Sequence, residues 1–308
     1  LQEITLPFVG TNREAMYENA VFGSIFGYTT KYDQYTLGDY SHEFVNSQVS
    51  EIEDTIWQYS SYSHPSVHSG RYWLKSWFYY IPNSLKKVTI TNETELSVAA
   101  FNGCVNILEI NLNNDIESIG DYAFQNCICL DTFSLPKQLS SLGNFAMSNC
   151  DALTDISIPV GVTKINDNVF CDNERLITVN LHSDITLIGH NAFYNCTKLE
   201  NVDLPEKLET IGNGAFYNNK GFSEITIPDS VTTISSYAFY RCNNVRFLHI
   251  GSNVQSIGIY AFAYIDDITN IIVPDSVTSI GNDAFHGCNN LQEITLPFVG
   301  TNREAMYE

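Results

Sequence analysis

The sequence predicts an α/β repeat solenoid that is mostly β, with short helical or 3₁₀ turns and one aromatic-rich insert. Three observations indicate it. A large apolar side chain recurs on one 23-residue phase, Ala precedes it in nearly every unit, and a short strand pattern ending in Pro recurs on the same phase. Such a fixed period is the signature of stacked coils rather than of a globular domain. The phase is occupied by Phe101, Phe124, Met147, Phe170, Phe193, Phe216, Phe239, Phe262 and Phe285.

The first element of each unit is a short strand. In one unit Val202 and Leu204 alternate as a strand with one buried face requires. Pro205 follows and ends the strand, because proline has no N–H to continue a ladder. A second apolar pair comes next, such as Val231 and Ile234 in a later unit.

The second half of each unit is predicted to turn at a consensus Gly and then to present the Ala-Phe pair. Because Gly tolerates positive φ, a tight turn is expected there. The following residue is usually of a helix N-cap type, so one short helical or 3₁₀ turn should carry Ala and Phe. The consensus glycines are Gly120, Gly143, Gly189, Gly212, Gly258 and Gly281.

A cysteine stands three residues after the apolar residue in six units. Because stacked coils lie about 4.8 Å apart, these side chains should form a buried ladder. Free thiols that pack as small hydrophobes are the favoured interpretation. Disulfides between neighbouring coils are an alternative, whereas a linear ladder suits tetrahedral zinc poorly. The six are Cys104, Cys127, Cys150, Cys196, Cys242 and Cys288.

The 23-residue phase is interrupted between residues 8 and 81. A helix is predicted around residues 20–27, residues 28–70 show little periodicity, and residues 71–81 read as an aromatic strand that returns to the solenoid. The interrupted stretch contains Trp57, Trp73 and Trp77, which are all the tryptophans of the chain. Their flat faces suit sugars or protein partners, and packing of the insert onto the solenoid is the alternative.

Residues 1–18 and residues 291–308 have identical sequences, 290 positions apart. This longer period predicts a tandem super-repeat, of which the chain holds one full turn and the start of the next. The predicted organisation is a strand of a preceding repeat at 1–7, the insert at 8–81, the solenoid at 82–297, and the start of a second insert at 298–308.

The consensus LPxxVxxIGxxAFxxCxxLxxIxLP resembles the leucine-rich repeat of the BspA type, found in surface proteins of bacteria and of some parasitic protists. The resemblance covers about 200 of the 308 residues. It implies a right-handed leucine-rich-repeat solenoid, an extracellular or cell-surface location and an adhesin-like role. It brings no catalytic residues to carry over.

Composition limits the partners. Fifteen basic against 35 acidic residues give a formal net charge of −20, which disfavours nucleic acid and anionic membrane surfaces. No stretch approaches the roughly 20 apolar residues of a membrane span. No catalytic constellation, cofactor motif or metal site is predicted. His64 and His68 have a metal-ligand spacing only on a helix, and Pro65 indicates a loop.

The outward positions of successive strands are mostly short polar or acidic residues, as a solvated face would have. Phe247 and Ile272 are the exceptions, and His249 lies beside them, so these residues predict a contact patch. The sequence therefore predicts a non-enzymatic binding protein that recognises a protein partner through the concave face or the insert. A structural spacer, or a glycan-binding module that uses the insert, is the alternative.

Overall fold

The computed structural model describes residues 1–7, 28–36, 55–65, 71–200 and 202–298. Apart from the three strands within residues 28–82 that form an antiparallel sheet, they form a stack of coils, in which most coils contribute one or two short parallel strands and one turn segment. The predicted parallel-strand solenoid is therefore confirmed. The helix predicted at residues 20–27 and nearly all of the predicted second insert lie outside the described residues.

The described residues hold 21 strands and no helix. In chain order the strands are β1 Glu3–Leu6, β2 Tyr28–Thr36, β3 Thr55–Pro65, β4 Arg71–Pro82, β5 Lys87–Ile90, β6 Glu95–Leu96, β7 Glu109–Asn111, β8 Ser118–Ile119, β9 Ser141–Leu142, β10 Asp155–Ser157, β11 Lys164–Ile165, β12 Thr178–Asn180, β13 Leu187–Ile188, β14 Thr210–Ile211, β15 Glu224–Thr226, β16 Thr233–Ile234, β17 Phe247–His249, β18 Ser256–Ile257, β19 Asn270–Ile272, β20 Ser279–Ile280 and β21 Glu293–Thr295.

Two rows of parallel strands run along the stack. The long-strand row consists of β1, β5, β7, β10, β12, β15, β17, β19 and β21, and the short-strand row of β6, β8, β9, β11, β13, β14, β16, β18 and β20. Paired residues within the repeat region are 23 positions apart or nearly so, as in Ile156 beside Val179. In β1 and β5, however, Glu3 pairs with Lys87, so the stack continues in register across the insert.

The insert contains an antiparallel sheet of its own, with strand order β2-β4-β3. The predicted returning strand is confirmed as β4. Near the end of this strand, Ile81 is fully buried and anchors it to the solenoid. Strands β2 and β3 fall in residues 28–70, where the sequence gives no periodic signal. These two strands were therefore not predicted.

The large apolar residues on the 23-residue phase, here called the ruler residues, lie in a row along the core, and their phenyl rings stack except where Met147 interrupts the series. Phe193 packs face to face with Phe170 and with Phe216, at centroid distances of 5.4 and 5.3 Å. The ruler is fully or almost fully buried from Phe101 to Phe262, and only Phe285 is partly exposed. This burial confirms the predicted core.

The prediction that the consensus glycines take positive φ is wrong. Positive φ falls instead directly before the Ala of each Ala-Phe pair and four residues later, as in Tyr237 (59°) and Arg241 (61°). Gly212 is needed for a different reason. A Cβ added to it would lie 2.5 Å from the carbonyl carbon of Gly189, so the glycines let neighbouring coils approach each other.

The predicted helical or 3₁₀ turn is also not found in the described residues, where the Ala-Phe pair lies in a hydrogen-bonded turn. Every second backbone amide of this turn bonds to the next coil, and the amides between them bond within the turn, as the Tyr194 N–H does to the Asn191 carbonyl at 3.0 Å. The Phe193 N–H, for example, donates to the Ala215 carbonyl at 2.8 Å. The residues of N-cap type also link neighbouring coils by hydrogen bonds, since the Asn144 N–H donates to Asp121 Oδ1 at 2.7 Å. Because every second amide bonds to the next coil, the unbroken run of hydrogen bonds along the chain that a helix needs does not form.

The cysteine ladder consists of free thiols that also donate hydrogen bonds. The Cys196 thiol donates to the Phe170 carbonyl of the previous coil at 3.1 Å. Asn219 replaces cysteine in the next coil, and its Nδ2 donates to the Phe193 carbonyl at 2.8 Å. The position therefore favours a small side chain with a donor, and Asn replaces Cys there in two coils, whereas the buried Ile265 occupies it in a later coil without a donor.

Replacing one stacked ring should destabilise the solenoid strongly. Phe193→Ala removes a fully buried ring, and we expect the free energy of unfolding in urea to fall by about 3–5 kcal/mol. Phe247→Ala is the matched control, because that ring is exposed and should change stability by less than about 0.5 kcal/mol. Equal losses for the two variants would contradict the buried stack.

The buried thiols should make stability fall at alkaline pH. Burial raises the pKa of the thiols of Cys127, Cys150, Cys196 and Cys242. Above pH of about 8.5 the unfolded chain therefore loses thiol protons that the folded chain keeps. Since the unfolded state then binds fewer protons, the free energy of unfolding falls with rising pH, by up to about 1.4 kcal/mol per pH unit for each buried thiol.

Urea titrations between pH 8 and pH 10 measure this slope. Cys196→Asn keeps a donor without a titrating group, and the slope should be shallower by about one thiol's contribution. Asn219→Ser at the equivalent position of the next coil is the control, since it alters the same ladder without removing a thiol. An unchanged slope in Cys196→Asn would refute the role of that thiol.

Candidate functional site

The long-strand row presents one side chain to the core and two to solvent in most of its strands. In β10, β12, β15 and β19 the central residue is buried and the two flanking residues are exposed. Ile156, for example, lies in the core between exposed Asp155 and Ser157. The predicted outward positions thus form the exposed face of the row.

Two large apolar side chains interrupt this polar face. Phe247 is 71% exposed and Ile272 is 61% exposed. The equivalent position in β15 is Glu224, which pairs with Phe247, and Thr295 pairs with Ile272. His249, also exposed, occupies the position in β17 that corresponds to Ile272 in β19. We call Phe247, His249 and Ile272 the apolar patch.

The apolar patch spans an interruption in the sheet. Strands β17 and β19 belong to adjacent coils and lie side by side, yet β17 pairs only with β15 and β19 only with β21 among the described strands. The short-strand row of the same coils is continuous through β16, β18 and β20. The patch therefore covers a local seam on one side of the solenoid.

The charge on this face is predominantly negative. Outward positions are occupied by Glu109, Asp155, Glu224 and Glu293. Lys87 lies between two carboxylates, 3.1 Å from Glu109 and 3.9 Å from Glu3, and the hydrogen bond with Glu109 raises the pKa of the lysine. The face thus combines carboxylates with one apolar patch.

The tryptophans of the insert belong to a different sheet. Trp57 lies in β3 and pairs with Tyr80, whereas Trp73 and Trp77 lie in β4. Trp73 pairs with Gln34 and His64 of the two flanking strands. The backbone therefore brings all three tryptophans into the antiparallel sheet, which shares no strand with the row that carries the apolar patch.

A set of partly exposed tyrosines on the turn side was not predicted. The ring of Tyr217 stacks between those of Tyr194 and Tyr240, at 4.7 Å on each side. The guanidinium of Arg241 lies 5.5 Å from the centre of the Tyr240 ring and 5.7 Å from that of Tyr264. The signal was present in the sequence, because these three tyrosines each follow a ruler Phe at the 23-residue spacing.

A polar groove of about 490 Å³ lies across three coils. Its lining repeats hydroxyl and amide side chains on the 23-residue spacing and adds one carboxylate, and the groove was not predicted from the sequence. The Ser252 N–H donates to Asp229 Oδ1 at 2.6 Å and lowers the pKa of that carboxyl. The lining residues are Asp229, Ser230, Thr232, Asn253, Gln255, Ser276 and Thr278.

The part of the chain that the structure describes contains no cluster of three or more His, Cys, Asp or Glu residues suited to a metal ion. His64 lies in β3 rather than in the predicted loop, and His68 is outside the described residues. Nor does any helix in that part have the length and apolar character to cross a membrane.

The stacked parallel coils with a consensus Leu, Ile and Phe core define a leucine-rich-repeat solenoid. Within that class, the model of the BspA type leucine rich repeat region matches residues 41–127, 94–223 and 210–304. These matches cover most of the sequence, so the chain belongs to the BspA-type leucine-rich-repeat family. The first match begins at residue 41, inside the stretch that is predicted to be an insert.

The chain resembles solved structures of proteins from several bacteria. A leucine rich cell surface protein from Faecalibacterium prausnitzii is 23% identical, with a TM-score of 0.45, over 69% of this chain and 73% of that one. A leucine-rich repeat protein from Bacteroides ovatus is 24% identical, with a TM-score of 0.41, over 70% and 74%. A leucine rich repeat protein from T. pallidum is 22% identical, with a TM-score of 0.38, over 67% and 77%. No curated protein sequence matches the chain.

Proposed function

We propose that this chain is a non-enzymatic, adhesin-like binding protein of the cell surface that recognises a protein partner through the apolar patch. The observation that carries the proposal is the exposure of Phe247 and Ile272 on an otherwise polar face. Large apolar side chains that are rimmed by polar groups favour a protein interface. An aromatic anchor among near-neutral polar contacts is also the usual composition of an interface hot spot.

The charges around the patch indicate the kind of partner. Glu224 precedes Phe247 in the same outward row, and Glu293 ends that row two coils further along. The chain as a whole carries a net charge of −20. A partner with an apolar centre and a basic rim would complement this face, and its association would weaken as salt screens the charges.

The cell-surface location is the one that the BspA-type family resemblance implies. Solenoids of this kind commonly bind along an extended face that several repeats build together. The apolar patch fits this pattern, because its residues come from two adjacent coils.

A glycan-binding module in the insert is the second candidate. The observation that favours it is the placement of Trp57, Trp73 and Trp77 in one antiparallel sheet. Tryptophan offers a large flat ring that suits the apolar face of a sugar. A structural spacer role would require neither the patch nor the tryptophans for binding.

Binding to immobilised extracellular-matrix proteins and to a glycan array separates these functions. Phe247→Ala combined with Ile272→Ala should weaken binding to a matrix protein by about tenfold or more, as expected for the loss of a hot spot. Thr178→Ala combined with Asn180→Ala alters the equivalent outward positions of β12 and serves as the matched control, which should bind normally.

The second part of the experiment tests the single variants Trp57→Ala, Trp73→Ala and Trp77→Ala on the glycan array. A circular dichroism spectrum of each variant reports whether it is folded. Loss of glycan binding in folded tryptophan variants, with the patch variant unaffected, would replace the proposed function by the glycan-binding one. Absence of binding to either set of probes would leave the spacer role and overturn the proposal.

A further inference from the structure

The same strand sequence occurs twice in this structure, each time with a different neighbour. β1 and β21 both read EIT within the identical segments 1–18 and 291–308. β1 pairs with β5, which follows it in the chain, and β21 pairs with β19, which precedes it. Together the two copies show both partners that this one strand sequence can take.

The backbone hydrogen bonds assign the two edges of the strand. The Glu293 N–H donates to the Thr269 carbonyl at 3.2 Å, so this edge faces β19. Because the N–H groups of a strand alternate in direction, those of Ile294 and Leu296 point to the opposite edge. Among the described strands, none occupies that edge of β21.

The exposure of the side chains shows that no other described residue covers this edge of β21. Ile294 is 38% exposed and Leu296 is 40% exposed, whereas Ile4 and Leu6 of the same sequence are half-buried under β5. Phe285 and Cys288 of the last coil are also partly exposed, although every preceding ruler residue is buried. The face beside β21 is thus the apolar cross-section of a coil.

We propose that the open edge of β21 is the docking site for a second copy of the 290-residue unit, taken up by the strand of that copy equivalent to β5. The register follows from the pairs in β1 and β5. Glu293 pairs with Lys87 of the second copy, Ile294 with its Val88, Thr295 with its Thr89 and Leu296 with its Ile90. The insert of the second copy then leaves the stack after β21, as the insert of this copy leaves it after β1.

Charge supports this occupant. Lys87 approaches Glu3 at 3.9 Å, and Glu293 is the residue that stands in the place of Glu3 in the second segment. A strand of another sequence would not offer this lysine together with Val88 and Ile90, which are buried in the core. A continuous solenoid with one insert per 290 residues results.

The test compares the chain of 308 residues with a two-copy chain in which residues 19–308 are repeated after Glu308. Hydrogen–deuterium exchange is followed by mass spectrometry in the peptide 286–297. A Gln292→Asn change directly before the last strand of the second copy separates the two otherwise identical peptides. In the two-copy chain, we expect the amides of Ile294 and Leu296 in the first copy to exchange at least about tenfold more slowly than in the single chain.

Two variants of the second copy test the register. The Lys87 and Thr91 N–H groups donate to β1, at the Gln2 and Leu6 carbonyls, so the Thr89 N–H between them faces the same way. Thr89→Pro in the second copy removes that donor without changing a core side chain, and the protection should be lost. Thr89→Val keeps the N–H and should retain it.

Internal peptides of the second copy report whether it has folded in each variant. Equal exchange at Ile294 and Leu296 in the single and two-copy chains would overturn the proposal. Protection that survives Thr89→Pro would overturn it as well, because the strand pairing would then not be its source.

Discussion

The spacing between adjacent coils is the constraint on which the rest of this structure depends. Parallel backbone hydrogen bonds set that spacing at the value of a β-sheet, and they act in the strands and in the turn segment alike. Each residue therefore lies beside the residue one period later. A side chain at a given position must be compatible with its own repetition at that distance, and this requirement selects the consensus.

The constraint explains why chemically different residues can share a position. Phenyl rings stack on each other at the coil spacing, so the ruler can be aromatic in coil after coil. Asn166 takes the place of a consensus Gly by donating its Nδ2 to the Leu142 carbonyl of the previous coil at 2.7 Å. Cys and Asn interchange because each donates to the carbonyl of the ruler residue in the previous coil. What is kept at each position is the contact with the neighbouring coil rather than the residue type.

The sequence could predict what the period and the strand alternation encode. The period located the buried rings, and the alternation of β17 and β19 placed Phe247 and Ile272 on the exposed face. The 23-residue period carries no information on φ. The sequence therefore predicts positive φ at Gly212, whereas the structure has it at residues such as Tyr237. The seam between β17 and β19 could not be foreseen, because the number of residues per coil does not change there. Outside the repeats, β2 and β3 carried no such signal.

The departure of the insert from the stack has a practical consequence. The chain leaves the long-strand row after Leu6 and re-enters it at Lys87, and the two strands pair as if they were consecutive. The paired strands β1 and β5 hold the two ends of the insert together. The entropic cost of closing such a loop rises only slowly with the length of the loop. This junction is therefore a natural point at which to graft a foreign domain, with the solenoid as a rigid display scaffold that holds its own register.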